Sequence, residues 1–260
     1  MSEAKKKLRQ TWDEMSSGYQ KRFGAYLMFY EQNLHLPLLG ELKRKKLLDL
    51  GCGGGQTSVF FAQNGALVTG LDFSEKQLEH AERLAGQNRI NINFLAGDLD
   101  APLPFADAAF DLISSSHALH YVENLEACFA EIFRVLKPGG KLVFSVSHPF
   151  MSLIAEENGR QVIARSYFKK EPVSWNWEID EITAYPMAFT MKTVEDYFSS
   201  LRKAGFTVEA LLEPPTDRDE NSPWFSGEEK DREESLPGAL LFCAGKNGGI
   251  ASRRLAFLRR

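Results

Sequence analysis

Apolar and polar positions follow two different periods along residues 46–146, and the two periods take turns. Short apolar runs of strand length are separated by segments in which apolar residues recur every three or four positions. The strand-like runs are 46–50, 66–72, 92–98, 110–116 and 140–146, and the helix-like segments are 58–65, 74–87 and 125–137. Strands that are separated by helices of this length predict a parallel sheet with right-handed crossovers.

The alternation of strand-like and helix-like segments ends after the last of these strands. Residues 147–190 are rich in aromatic side chains and show no clean period, whereas 193–206 again has a helical pattern. Two more strand-like runs, 207–213 and 239–246, flank a polar, acidic and proline-rich stretch. That stretch is too long for a tight turn, so it predicts a long exposed loop.

Composition excludes some classes of function. The 260 residues are 43% hydrophobic and 25% charged with a net charge of -4, which is ordinary for a globular α/β protein and disfavours a nucleic-acid partner. The net charge does not exclude a local basic patch. Three scattered cysteines indicate free thiols in a reducing compartment. Because no apolar run is long enough for a signal or a membrane span, we expect a cytoplasmic protein. We also expect a monomer or a homodimer.

The chemistry begins at the stretch LLDLGCGGGQ, residues 47–56. A strand that runs into glycines and then a helix presents backbone N–H groups to a ligand, and glycine lets that ligand approach closely. A dinucleotide-binding turn would have a third glycine where Gln56 stands. The glycines alone therefore predict a ligand close to the backbone without identifying it.

Three acids narrow the choice of ligand. Asp72 closes the second strand, where an acid can accept both hydroxyls of a ribose. Asp49 lies two residues before the glycines, where an anion suits a ligand with a positively charged amino group better than a pyrophosphate. Asp98 ends the third strand and can accept from the exocyclic amine of adenine. A nucleoside that carries an amino acid at its 5′ end, such as S-adenosylmethionine, fits all three.

Residues 47–81 and 96–146, which contain these acids, closely resemble the class I S-adenosylmethionine-dependent methyltransferases. Within these, they resemble the small-molecule methyltransferases related to the ubiquinone/menaquinone C-methylating enzymes. The resemblance covers about residues 10–146 closely and 190–246 by layout. It implies an α/β, Rossmann-like fold: a seven-stranded, mostly parallel sheet with an antiparallel last strand and helices on both faces.

The resemblance also implies a domain layout and a set of cofactor contacts. Residues 1–45 would form an N-terminal helical cap, 46–246 the cofactor-binding domain with a lid-like insertion at about 147–190, and 247–260 a basic tail. The contacts surround the methionine amino group, the ribose and the adenine, with a tyrosine of the cap closing over them. They are Tyr19, Asp49, Gly51, Gly53, Asp72, Phe73, Gln77, Asp98, Leu99 and Ser115. Tyr19 fits the apolar face of a helix equally well.

The predicted reaction is an in-line displacement that moves the sulfonium methyl group to a small-molecule acceptor. The leaving group departs neutral, so the enzyme mainly aligns the acceptor and excludes water. Many acceptors also lose a proton, and His117, His120 and His148 are the candidate bases, although each could simply pack in the structure. The aromatic insertion suggests an apolar or aromatic acceptor. No metal-ligand set is visible, so we expect no metal dependence.

Three other functions stay open at this point. Some tRNA-modifying methyltransferases share this core, although the acidic composition disfavours that interpretation. The chain could instead bind the cofactor without catalysis. An NAD-dependent oxidoreductase is disfavoured by Asp49 and Gln56.

Overall fold

The computed structural model describes residues 1–24, 34–158, 160–179, 184–214 and 236–246. The helices are α1 (Glu3–Phe23), α2 (Leu36–Leu39), α3 (Gln56–Gln63), α4 (Glu75–Gln87), α5 (Leu125–Val135) and α6 (Val194–Ala204). The strands are β1 (Lys46–Leu50), β2 (Leu67–Asp72), β3 (Asn93–Ala96), β4 (Phe110–Ser116), β5 (Leu136–Ser147), β6 (Ile154–Glu157), β7 (Arg160–Ile163), β8 (Pro172–Glu178), β9 (Ala184–Thr190), β10 (Thr207–Leu212) and β11 (Ala239–Gly245). Most of the predicted acidic loop and all of the basic tail lie outside the described residues.

Seven strands form one sheet in the order β10-β11-β5-β4-β1-β2-β3. The pairs among β1 to β5 are parallel, whereas β11 runs antiparallel to both of its neighbours. The last strand of the chain is therefore the reversed one. Strands β2 and β3 lie on one side of β1, and β4 and β5 lie on the other. The connections after β1 and β4 therefore lead in opposite directions, which leaves room for a ligand between the carboxyl ends of these two strands.

Helices cover both faces of this sheet because successive strand residues point to opposite sides. On β11, Leu240 and Phe242 belong to a core that contains α5 and α6 residues, whereas Leu241 and Cys243 face a second core under α2 and α3. All four side chains are buried. The predicted Rossmann-like fold, with its reversed last strand and two helical layers, is thus confirmed.

The segment between β5 and α6 forms two antiparallel hairpins, β6–β7 and β8–β9. The second hairpin packs against α1: Trp175 and Trp177 of β8 meet an apolar stripe of the helix that includes Tyr19 and Phe23. Helix α1 also contacts α4. The helix and the hairpin together cover the carboxyl end of the sheet.

Several predicted boundaries were wrong. Helix α5 ends at Val135 rather than 137, and β5 begins at Leu136 instead of 140, because Leu136 already pairs with Phe110 before a register shift. Helix α3 begins at Gln56, two residues before the predicted start. Within the described residues, no helix is long and apolar enough to cross a membrane.

Candidate functional site

A cavity of about 410 Å³ lies at the carboxyl ends of β1 to β4. Its floor is the glycine turn after β1, its sides are the loops after β2, β3 and β4, and its cover comes from α1 and β8. Most of the residues predicted to contact cofactor or acceptor line it. They are Tyr19, Asp49, Gly51, Gly53, Asp72, Phe73, Gln77, Asp98, Leu99, His117 and His120.

The glycine turn needs its glycines at two positions for different reasons. Gly51 has φ +70°, and a Cβ there would collide with the side chain of Ala118 in the loop after β4. Gly53 has φ +51°, and a Cβ there would meet nothing within 4 Å. The first glycine lets two loops approach each other, while the second leaves backbone open toward the cavity.

Asp49 is a buried carboxylate at the floor of the cavity and is 1% exposed. Its Oδ2 accepts a hydrogen bond from the Ser58 hydroxyl at 2.6 Å. Burial raises the pKa of Asp49 to about 7, an effect opposed by the Ser58 hydrogen bond and increased by the nearby Asp72 carboxylate. No lysine, arginine or histidine among the described residues forms an ion pair with it. Asp49 is thus a buried acid that a cationic ligand would stabilise.

Asp72 ends β2 and faces the same cavity. Its two oxygens accept from the backbone N–H groups of Gly53 and Ser74, both at 2.9 Å. Burial raises the pKa of Asp72 to about 6, although these hydrogen bonds act in the opposite direction. Each carboxylate oxygen has a second lone pair, so Asp72 can still accept from a ligand.

Helix α1 carries a residue that the sequence analysis missed. The Lys5 ammonium is buried against the cavity, 2.7 Å from Asp100 and 3.4 Å from Asp98. It also donates to the Tyr121 carbonyl at 3.1 Å. Lys5, Trp12 and Tyr19 all line the cavity and are spaced by seven residues, so they lie on one face of the helix.

A chain of side-chain amides explains why Gln56 replaces a glycine. Gln56 donates to Gln20 of α1, and Gln20 donates to the Gln77 oxygen at 2.7 Å. The three amides tie α1 to the first turns of α3 and α4. The Gln77 Nε2 group is buried and has no hydrogen-bond acceptor. Because it lies at the cavity wall, that donor is available to a ligand.

Two histidines occupy the loop after β4. His117 has φ +51°, and its backbone N–H donates to the Ser145 carbonyl at 2.9 Å. Burial lowers the pKa of His117 to about 4 and also lowers the pKa of His120. Both rings are therefore neutral near pH 7. The His120 Nδ1 atom is buried without a hydrogen-bond partner.

The Lys192 side chain supports the turn that contains His120. Its ammonium donates to the carbonyls of His120 at 2.9 Å and Thr190 at 3.0 Å, which links the end of β9 to the turn. Burial lowers the pKa of Lys192 to about 8. Sequence reasoning missed this residue because nothing near Lys192 in the chain marks it as buried.

Aromatic side chains form the rest of the wall. Trp12, Tyr19 and Trp177 meet edge to face with centroids 5.2–6.0 Å apart. Tyr121 and Trp175 continue the apolar surface next to the histidines. This end of the cavity is apolar and aromatic, whereas the end near Asp49, Asp72 and Asp98 is acidic.

Ser115 was predicted as a cofactor contact, but the structure places its side chain outside the cavity lining. Its side chain is fully buried, and its hydroxyl donates to the Leu50 carbonyl at 2.8 Å. The neighbouring Ser116 lines the cavity instead. The reason is strand alternation, which points adjacent residues of β4 to opposite sides.

His148 was predicted as a candidate base, and the structure also places it outside the cavity lining. The ring is fully buried; its Nδ1 accepts from the Phe150 N–H at 3.2 Å, and its Nε2 lies 3.0 Å from Glu213. These contacts indicate a structural role. Among the described residues, no group of three or more His, Cys, Asp and Glu side chains is arranged to hold a metal ion.

Comparisons with known proteins agree with this geometry. Residues 48–144 match the family of methyltransferase domains. A demethylmenaquinone methyltransferase of Lactococcus lactis is 31% identical over 217 residues, which are 78% of this chain and 82% of that protein. A ubiquinone biosynthesis O-methyltransferase of Coxiella burnetii is 39% identical over 104 residues, 40% of this chain and 44% of its own length. The crystal structure of an S-adenosylmethionine-dependent methyltransferase from Mesorhizobium loti is 31% identical with a TM-score of 0.64, covering 80% of this chain and 94% of that one.

Proposed function

The chain belongs to the S-adenosylmethionine-dependent methyltransferases, and from this premise we propose that it methylates an apolar or aromatic small molecule. The observation that carries the proposal is the division of the cavity. Acids occupy the part formed by the carboxyl ends of β1 and β2 and the loop after β3, and an aromatic wall with two neutral histidines occupies the part formed by α1, β8 and the loop after β4. The first end suits the cofactor and the second suits an uncharged, ring-shaped acceptor.

The residues at the acidic end fit S-adenosylmethionine. Asp49 is a buried acid that lacks an ion pair within the described chain, and it would hold the amino group of the cofactor. Asp72 keeps acceptor capacity for ribose hydroxyls. The open backbone at Gly53 and the unpartnered Gln77 amide leave further room and a donor nearby. When bound, the cofactor supplies a methyl group on a positively charged sulfur.

The chain's own residues would align the acceptor and exclude water. Trp12, Trp175 and Trp177 cover the cavity from α1 and β8, and aromatic faces also favour a nearby cation. The hairpin β8–β9 and α1 thus act as the proposed lid and cap. The names of the Lactococcus and Coxiella relatives support a quinone-related ring as the acceptor class.

His120 is the proposed base. Its ring is neutral, lines the cavity, and carries a buried Nδ1 atom with no partner. A neutral imidazole can take a proton that the acceptor loses during methylation. Lys192 holds the His120 carbonyl and so fixes the turn that presents the ring. His117 lines the same wall and would orient the acceptor.

Replacing His120 with Asn should lower kcat about a hundredfold and change the affinity for S-adenosylhomocysteine less than about twofold. The matched control is His148→Asn, which removes another buried histidine outside the cavity and should reduce stability while sparing kcat. Because burial lowers the pKa of His120 well below its usual range and that of His117 to about 4, both rings stay neutral here, and we expect kcat at saturating cofactor to change little between about pH 7 and pH 6. An equal loss of kcat in both variants would contradict the role of His120.

The acceptor proposal is tested by mass spectrometry. The enzyme is incubated with a lipid and metabolite extract and with cofactor that carries a trideuterated methyl group. We expect a labelled apolar or aromatic product that is absent when Asp49→Asn enzyme replaces the wild type. Labelling confined to RNA, or to charged hydrophilic metabolites, would overturn the proposed acceptor class.

A further inference from the structure

The segment after the first hairpin turn, residues 160–170, exposes large apolar side chains. Phe168 is 87% exposed and Ile163 is 78% exposed. Phe150, which is 40% exposed, lies next to this segment, because its ring centroid is 5.5 Å from Tyr167, and Tyr167 is 5.5 Å from Phe168. We call these three rings the aromatic patch. Single exposed apolar residues are common, but a contiguous set indicates a binding surface.

Two side-chain contacts connect the segment that carries the aromatic patch to α6. The Tyr167 hydroxyl accepts a hydrogen bond from the Val194 N–H at 3.0 Å, at the start of α6. Lys170 pairs with Asp196 of the same helix at 2.7 Å. The Tyr167 and Lys170 side chains on either side of Phe168 thus both contact α6, while the Phe168 ring itself is exposed.

The charged side chains within residues 160–170 are all cations, and the acids Glu157, Glu171 and Asp196 lie beside them. Four exposed cations, Arg160, Arg165, Lys169 and Lys170, lie within eleven residues that contain no acid. The whole chain has a net charge of -4, so the positive charge of this segment is opposite in sign to that of the protein as a whole. Lys169 lies 3.7 Å from Glu171, and Lys170 pairs with Asp196, but such exposed pairs are weak and are easily exchanged for other anions.

We propose that residues 160–170 and Phe150 dock onto the surface of a bilayer that contains anionic lipid. Aromatic and aliphatic side chains enter the boundary between headgroups and acyl chains, while lysine and arginine reach the phosphates. Exposed apolar side chains on a segment that carries four cations match this surface. A protein partner would not need four cations, and a nucleic acid would not need the exposed Ile163 and Phe168.

The patch adjoins the cavity. Met151, the residue after Phe150, lines it together with Trp175. A bilayer on this face would therefore bring apolar solutes to the acceptor end. The inference goes beyond the proposed function and does not depend on it, since vesicle binding needs neither cofactor nor acceptor.

The test is co-sedimentation of the full chain with vesicles of phosphatidylcholine alone or mixed with an equal part of phosphatidylglycerol. We expect binding to the mixed vesicles that weakens as salt is added. Ile163→Ser combined with Phe168→Ser should weaken binding about tenfold or more, since both apolar side chains lose their lipid contact. Lys169→Glu combined with Lys170→Glu should do the same.

The controls lie at the amino ends of β1 and β2, whereas Phe150 follows the carboxyl end of β5. Leu67 at the start of β2 is 59% exposed, and Leu67→Ser should leave vesicle binding unchanged. Lys43→Glu combined with Lys45→Glu gives the same charge change at exposed positions before β1. Thermal melts establish that each variant is folded. Absence of binding to the mixed vesicles would overturn the proposal, and so would binding that survives both patch variants but is lost when residues 247–260 are deleted.

Discussion

Replacing Asp49 with Asn should stabilise the ligand-free protein by about 1–3 kcal/mol near pH 8 and weaken S-adenosylhomocysteine binding roughly ten- to hundredfold. The stabilisation follows because Asp49 is a buried charge without an ion pair among the described residues. The Asn side chain has the same shape and can still accept from Ser58. The loss of affinity follows because only the carboxylate can pair with the ligand's amino group. Thermal unfolding and calorimetry measure the two effects separately.

The pH dependence has a defined sign. Asp49 binds its proton more tightly in the folded protein, where its pKa is about 7, than in the unfolded chain. The stability of the ligand-free wild type should therefore fall as the pH rises from about 4 to about 7, and Asp49→Asn should show a flatter profile. Cofactor affinity should change the other way, rising with pH as Asp49 ionises. A destabilised Asn variant with unchanged affinity would contradict this assignment.

Replacing Asp72 with Ala should weaken S-adenosylhomocysteine binding by about 1.5–3 kcal/mol, the cost of losing hydrogen bonds to a charged group. The truncation also frees the N–H groups of Gly53 and Ser74, which now share the carboxylate. The glycine turn and the start of α4 would thus lose their common acceptor. Calorimetric titration measures the affinity.

The control for Asp72 is Asp111→Ala. Asp111 likewise accepts a backbone N–H, from Lys46 at 2.9 Å, and it pairs with Lys137 at 2.8 Å, but it is not among the cavity-lining residues. Asp111→Ala should lower the free energy of unfolding without changing the affinity for S-adenosylhomocysteine. Equal affinity losses in the two variants, or none in Asp72→Ala, would refute a ribose contact.

The sequence predicted the fold and the acidic end of the cavity because both follow from strand ends. Asp49, Asp72 and Asp98 each lie at the carboxyl end of a strand, and parallel strands bring those ends to one edge. Local patterns were sufficient here, since the geometry of the sheet fixes where such residues meet.

Two of the predicted site residues lie outside the cavity lining. Ser115 and Ser116 are adjacent in β4, and only the second lines the cavity. His148 follows β5 at the correct edge but turns toward Glu213, a residue 65 positions away. Such a long-range partner leaves no signal in the local pattern.

The cover of the site was partly visible in the sequence. Within residues 172–178, partly buried side chains alternate with exposed ones; the partly buried ones are Val173, Trp175 and Trp177. The period of a strand was therefore present inside the segment that seemed irregular. The spacing of Lys5, Trp12 and Tyr19 on α1 was also readable. Which surface that helix face would cover depended on tertiary contacts that no local pattern encodes.

The central claim is that the acid before the glycine turn binds the amino group of the cofactor. It is tested by titrating S-adenosylhomocysteine, and its analogue without the α-amino group, into wild type and Asp49→Asn. Removing the amino group should weaken wild-type binding about ten- to hundredfold and have little further effect in the variant, since each change removes the same interaction. An equal loss of affinity in both proteins would show that the amino group is bound elsewhere.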